Sequence, residues 1–129
     1  MLKHFLSISI IALFLSCSDD NEKENCYATD ISYVISTDAP AQGRVNEIIN
    51  IPVEFAVYNG CGDFGKFNET QNGNTIIIEV QAVYEGCICP MNVPVITVDY
   101  KFYTTVPGTY YLKFKSNPAE YIIDTLRIY

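Results

Sequence analysis

Cys87, Cys89 and Met91 place three sulfur atoms within five residues of chain. Two thiolates and a thioether suit soft Cu(I), and a C-x-C pair can also serve as a redox site. Cys26 and Cys61 offer the same cysteines a plainer fate, as partners in structural disulfides. Cys17 makes the cysteine count five, an odd number. The single histidine is His4, close to the start of the chain. Asp and Glu total 15, enough to supply a carboxylate pair for glycoside hydrolysis. No Gly-rich phosphate loop opening a helix is present. At 49% hydrophobic and 13% aromatic over 129 residues, the chain is rich enough in apolar side chains to exclude a disordered tail, and long enough for one domain.

Which of these groups survive into the working protein depends on the first 25 residues. Lys3 supplies a positive start, and residues 5–15 form an apolar run broken only by Ser7 and Ser9. That run is shorter than the roughly 20 residues a membrane span needs, and has the layout of a secretory signal. After Cys17 the chain turns polar through Ser18, Asp19, Asp20, Asn21, Glu22, Lys23, Glu24 and Asn25. The junction Phe14-Leu15-Ser16-Cys17 resembles the lipobox of bacterial lipoproteins. The resemblance implies that residues 1–16 are removed and that Cys17 is lipidated as the first residue of the mature chain. A lipobox prefers Leu where Phe14 stands and a small residue where Leu15 stands; Ser16 fits. Ser18-Asp19-Asp20-Asn21-Glu22 is similar to the acidic export signal of surface-exposed lipoproteins in the Bacteroidota. The implied location is the outer membrane, lipid-anchored and facing the cell surface.

Several acyl chains on one cysteine give stable anchoring, since each buried methylene contributes about 0.8 kcal/mol. Residues 18–25 then form a charged tether with a root-mean-square reach of about 16 Å and a full extension of about 28 Å. Loss of the leader removes Lys3 and no acidic residue, so Lys plus Arg falls from 8 to 7 against 15 Asp plus Glu and the formal charge moves from −7 to −8. No basic cluster remains, which argues against nucleic acid as a partner. His4 departs too, so Ser-His-Asp, Cys-His and His-zinc chemistry is beyond the mature chain by itself.

The elements that must position the remaining groups are strands. Period-two alternation recurs at Ile51, Val53, Phe55 and Val57, at Ile76, Ile78, Val80 and Ala82, at Ile96, Val98, Tyr100 and Phe102, and at Tyr110, Leu112 and Phe114. Seven strands are expected, at about 28–36, 48–58, 64–70, 75–85, 94–104, 109–116 and 120–129. Asn72-Gly73 predicts a type I′ hairpin turn; Pro107-Gly108 and Asn117-Pro118 break the chain before the last two strands. This spacing predicts an all-β domain over residues 26–129, a seven-stranded antiparallel immunoglobulin-like sandwich. Val106-Pro107-Gly108-Thr109-Tyr110-Tyr111-Leu112 also resembles the turn into the penultimate strand of immunoglobulin-like and fibronectin-like domains. That resemblance implies that the Tyr110 hydroxyl bonds back to upstream backbone.

With strands running alternately up and down, Cys26, Cys61, Cys87 and Cys89 all fall at one pole. A bond between Cys87 and Cys89 would close an awkwardly tight ring. Cys26 and Cys61 are therefore each expected to pair with one of Cys87 and Cys89, in either combination, stabilising the domain by about 2–4 kcal/mol per bridge. The opposite pole would present the 37–47 loop, with Asp38, Pro40, Gln42 and Arg44 as a contact site. Glu54, Glu79 and Asp99 fall on outward phases, as a solvated sheet face requires, and no convergent catalytic set emerges. Tyr58, Tyr103 and Tyr111 also fall outward and are the candidate binding residues, although Tyr is favoured in strands for packing alone. The expectation is a non-catalytic envelope module without a cofactor. It would be held to the membrane by its N-terminal lipid, with an envelope protein or a glycan as partner. The alternative is a redox or Cu(I)-handling lipoprotein using Cys87, Cys89 and Met91.

Overall fold

The computed structural model describes residues 25–129, so the signal segment, Cys17 and the tether up to residue 24 lie outside the described residues. Within them the chain forms nine strands: β1 (Tyr27–Ser32), β2 (Val34–Thr37), β3 (Gln42–Gly43), β4 (Ile49–Ala56), β5 (Gly62–Asn72), β6 (Thr75–Glu85), β7 (Val95–Phe102), β8 (Gly108–Lys115) and β9 (Tyr121–Ile128). Two sheets face one another as a β-sandwich. One is β2-β4-β7. In the other β5, β6, β8, β9 and β3 lie side by side, and β1 joins the edge of β6 that β8 leaves free.

Six of the seven expected strands reappear with ends shifted by a residue or two, as β4 to β9. The seven-stranded, antiparallel description needs two corrections. The expected strand 28–36 is divided at Tyr33: β1 pairs with β6 in one sheet and β2 with β4 in the other. Ser32 and Val34 are both buried and Tyr33 between them is exposed, so the period-two alternation runs on through the crossing and does not mark it. The two-residue β3 lies inside what was expected to be loop and pairs with β9 in parallel.

The second correction has a clear physical origin. β6 pairs with β8 in parallel, through Thr75–Ile78 against Tyr111–Phe114. The β5–β6 hairpin can present either strand to β8. β6 carries Ile76, Ile78, Val80, Ala82 and Tyr84 on one buried face, whereas β5 is Gly62-Asp63-Phe64-Gly65-Lys66-Phe67-Asn68-Glu69-Thr70-Gln71-Asn72. Polar side chains and a bulge between Phe64 and Lys66 suit an edge, where unpaired backbone must be kept from foreign strands. The apolar strand therefore lies inside, and its direction matches β8. The hairpin turn is also displaced by one residue. Asn72 pairs with Thr75, so Gly73 and Asn74 are the central residues, and only Gly73 has positive φ, at 61°. That is the type II′ pattern, with glycine first.

The core forms where the inner faces meet. Ile51, Val53, Phe55 and Val57 from β4 and the loop after it pack with Ile78, Val80, Leu112, Phe114, Leu126 and Ile128, all at most 1% exposed. The alternation expected for β4, β6, β7 and β8 holds, because each strand has one neighbour sheet to bury against. An aromatic chain crosses the sandwich from Phe64 through Phe67 and Tyr100 to Phe114, with centroid separations of 4.8, 5.3 and 5.6 Å. Tyr110 is buried, and its hydroxyl donates to the Val106 carbonyl at 2.7 Å and meets Thr104 Oγ1 at 2.9 Å. This is the upstream bond expected of the corner tyrosine.

Candidate functional site

The cysteines singled out in the described sequence gather at one pole of the sandwich. β6 ends at Glu85 between two strand starts, β1 on one side and β5 on the other. Cys26 stands just before β1 and Cys61 just before β5. The Gly86 amide donates to the Cys26 carbonyl at 2.9 Å, and the Glu85 amide reaches the Cys61 carbonyl at 3.4 Å. The loop after β6 thus emerges midway between the two cysteines. Cys87 bonds Cys26 and Cys89 bonds Cys61, with Cα separations of 5.0 and 5.3 Å. One spacing of two residues serves both flanks, which selects this combination from the two left open by the sequence. Gly86 has φ of 136°, and a Cβ there would stand 2.9 Å from Cys61 Sγ. Only glycine makes this turn without displacing the bridge.

The rest of the loop is held by backbone. Gly60 donates to Pro90 at 2.9 Å and Val57 to Pro94 at 3.1 Å, while Asn59 Oδ1 accepts from the Cys61 amide at 2.9 Å. On this fixed frame Ile88 and Met91 are 95% and 97% exposed, and Val93 and Val95 are exposed beside them. Sequence reasoning treated Met91 only as a soft donor and passed over Ile88. Its signal was there: an apolar residue between two cysteines, in a segment where strand alternation has lapsed.

The sulfur cluster of the sequence is therefore divided. Both thiols of the C-x-C pair are spent on disulfides with different partners, Cys87 with Cys26 and Cys89 with Cys61. Among the described residues no group of three or more His, Cys, Asp or Glu side chains could hold a metal ion.

The three outward tyrosines are all exposed, and the fold separates them. Tyr58 follows β4 at the disulfide pole and stacks on Tyr84, with centroids 3.9 Å apart and planes at 18°. Partial burial, then Tyr84 and Asp30, raise its phenol above the ordinary value. Tyr103 follows β7, whose end Phe102 pairs with Ile49 at the far end of β4. The eight residues of β4 put roughly 26 Å between those ends. Tyr111 lies on the outer face of β8, opposite Thr125. They form no single binding face.

The opposite pole carries the 37–47 loop expected there, together with the β5–β6 turn, displaced by one residue from Asn72-Gly73, and the Pro107-Gly108 corner. The Asn46 amide bonds Thr104, Val45 bonds Tyr129, and Asn74 Nδ2 bonds Thr109. Gln42 and Arg44, with Gly43, Glu47 and Tyr129, line an open recess of about 430 Å³. Asp38 and Pro40 lie outside it; the Asp38 amide bonds the carbonyl of Pro52 in β4, the central strand of the other sheet. The outward carboxylates also scatter. Glu79 pairs with Lys115 at 3.0 Å across β6 and β8, while Glu54 and Asp99 belong to the opposite sheet.

Two sheets, a corner tyrosine and two bridges at one pole define a disulfide-stapled β-sandwich domain. Residues 51–125, more than half of the chain and running from β4 into β9, match the ORF11 beta-sandwich domain, and the chain belongs to that family. No curated protein and no solved structure matches the chain.

Proposed function

We propose that this protein is a lipid-anchored, non-catalytic binding or assembly module of a bacterial outer membrane, facing the cell surface. One observation carries the reading: four of the five cysteines are consumed in two bridges at the pole where the N-terminal segment joins the domain. Cys17 is then the one cysteine outside these two bridges, and it stands where the lipobox-like junction places the lipid. Disulfides also accord with an exported chain. The tether enters beside the bridges, so pulling on the anchor loads the most strongly cross-linked part of the fold. The sandwich is immunoglobulin-like in this reading, with the β5–β6 hairpin turned so that its second strand lies inside. The Tyr110 corner and the β4–β7 pairing support that kinship.

Cys17→Ala tests the anchor. The full chain carrying it is expected to leave the membrane fraction, and unchanged membrane retention would overturn the reading. Affinity capture of the lipidated protein from detergent-solubilised membranes tests the role. A stoichiometric envelope protein supports assembly and a retained glycan supports surface binding. Turnover of a glycan by the captured protein would overturn the non-catalytic assignment.

A further inference from the structure

We infer that the 86–94 loop is a second membrane contact, with Ile88 and Met91 inserted into the interfacial region of the bilayer that holds the lipid anchor. The inference rests on the anchored reading above and adds a side and a depth to it. Both side chains are almost wholly exposed, at 95% and 97%, and Val93 adjoins them. Tyr27 and Tyr58 are exposed at the same pole, each with an apolar ring and a polar tip, the combination suited to a membrane interface. A loop presenting large apolar groups to water has a cost that a soluble face avoids, and such patches mark contact surfaces. Two disulfides and three backbone bonds already hold the loop in shape, so insertion requires little further ordering.

The position of the chain outside the described residues selects a bilayer as the occupant. The described chain begins at Asn25, one residue before Cys26, whose carbonyl accepts from Gly86 at the base of the loop. Asn25 is eight residue steps along the chain from Cys17, a span of at most about 28 Å. A lipid on Cys17 therefore keeps this pole within that distance of the bilayer. No helix among the described residues is long and apolar enough to cross a membrane. The charges around the loop set its lipid preference. Asp63 and Glu85 are exposed at the pole, and Asp19, Asp20, Glu22 and Glu24 fill the tether against Lys23 alone. The loop is suited to neutral or zwitterionic headgroups and is repelled by anionic ones.

The absence of Trp from the chain supplies the test. Met91→Trp, and separately Ile88→Trp, introduce one indole at the loop, and Tyr103→Trp introduces one at the far pole. Each full-length lipidated protein is reconstituted into phosphatidylethanolamine–phosphatidylcholine vesicles, with and without bromine on the acyl chains, and floated. The expected result is a blue-shifted indole emission, largely lost to brominated lipid, for Met91→Trp and Ile88→Trp, and neither effect for Tyr103→Trp. Replacing part of the lipid with phosphatidylglycerol should weaken the quenching. Flotation with an unshifted, unquenched indole at both loop positions would overturn the loop contact while leaving the anchor intact. A blue shift without bromine quenching would assign the loop to a second copy of the chain and overturn it equally. Failure to float would overturn the anchor, and this inference with it.

Discussion

Tyr110 shows how much one hydroxyl can organise. Its O–H donates to the Val106 carbonyl across the Pro107-Gly108 corner and also meets Thr104, so a loop between two sheets is tied by a single buried side chain. Tyr110→Phe keeps the ring against Phe102 and removes the 2.7 Å bond to the Val106 carbonyl, leaving it only the longer one from Thr104 Oγ1 at 3.5 Å. A loss of about 1–2 kcal/mol is expected, read as a lower urea midpoint with an unchanged m-value; no shift would make the bond ornamental. Two other residues titrate against the fold. Burial first, then the hydrogen bond to Glu69, raise the Tyr100 phenol far above its ordinary value near 10, and the Glu79 hydrogen bond raises Lys115 above 10.5. Both groups hold their proton more tightly folded than unfolded. Their contribution is complete below the unfolded values and is lost as pH climbs through the folded ones. Stability should therefore fall above about pH 10. Tyr100→Phe and Lys115→Gln should each flatten that alkaline limb in thermal unfolding, and an unaltered limb in both would refute the assignment.

Among the elements, the loop after β6 and the strands it grips behave as one unit. The Cys26–Cys87 bridge spans 61 residues and the Cys61–Cys89 bridge spans 28. Chain entropy alone assigns them about 4.3 and about 3.6 kcal/mol, so the longer closure is the more valuable. Paired Ser substitutions at Cys26 and Cys87 should lower the denaturation midpoint more than those at Cys61 and Cys89; the reverse order would mean that the Gly86 turn, packed on Cys61, dominates. The hairpin β5–β6 illustrates where local signals stop. Asn72-Gly73 located the turn to within one residue, and alternation in Ile76, Ile78, Val80 and Ala82 located the buried face of β6. Neither signal says which strand of the hairpin meets β8. That was settled by competition for the interior, which β6 wins by apolar area and β5 loses by its Asp, Lys, Glu and Asn side chains.

The whole molecule is a two-ended object. One end carries both disulfides, the entry of the N-terminal segment and the exposed Ile88 and Met91; the other carries the 37–47 loop, the β5–β6 turn and the Tyr110 corner. Tyr58, Tyr103 and Tyr111 were legible as outward residues, but they are distributed between the ends and an outer face, so parity alone did not make them a site. Sulfur accounting spans the entire chain: two bridges take four of the five cysteines, and the proposed lipid anchor takes Cys17. Denatured, unreduced full-length protein from membranes should therefore contain no titratable thiol and bind no Cu(I). Two reactive thiols with bound copper would restore the soft-metal alternative at Cys87, Cys89 and Met91.

By itself the sequence determined six of the strands, the buried faces of four of them, the corner tyrosine and the gathering of four cysteines at one pole, because each follows from near neighbours along the chain or from counting strand reversals. It also marked the lipobox-like leader, which is a local pattern. Tertiary structure decided the division of the first strand at Tyr33, the parallel meeting of β6 with β8, the pairing of Cys26 with Cys87, and the exposure of Ile88. These depend on which surfaces remain to be covered once the two sheets have closed on each other. That is a competition among distant segments for one interior, and no window of neighbouring residues contains it.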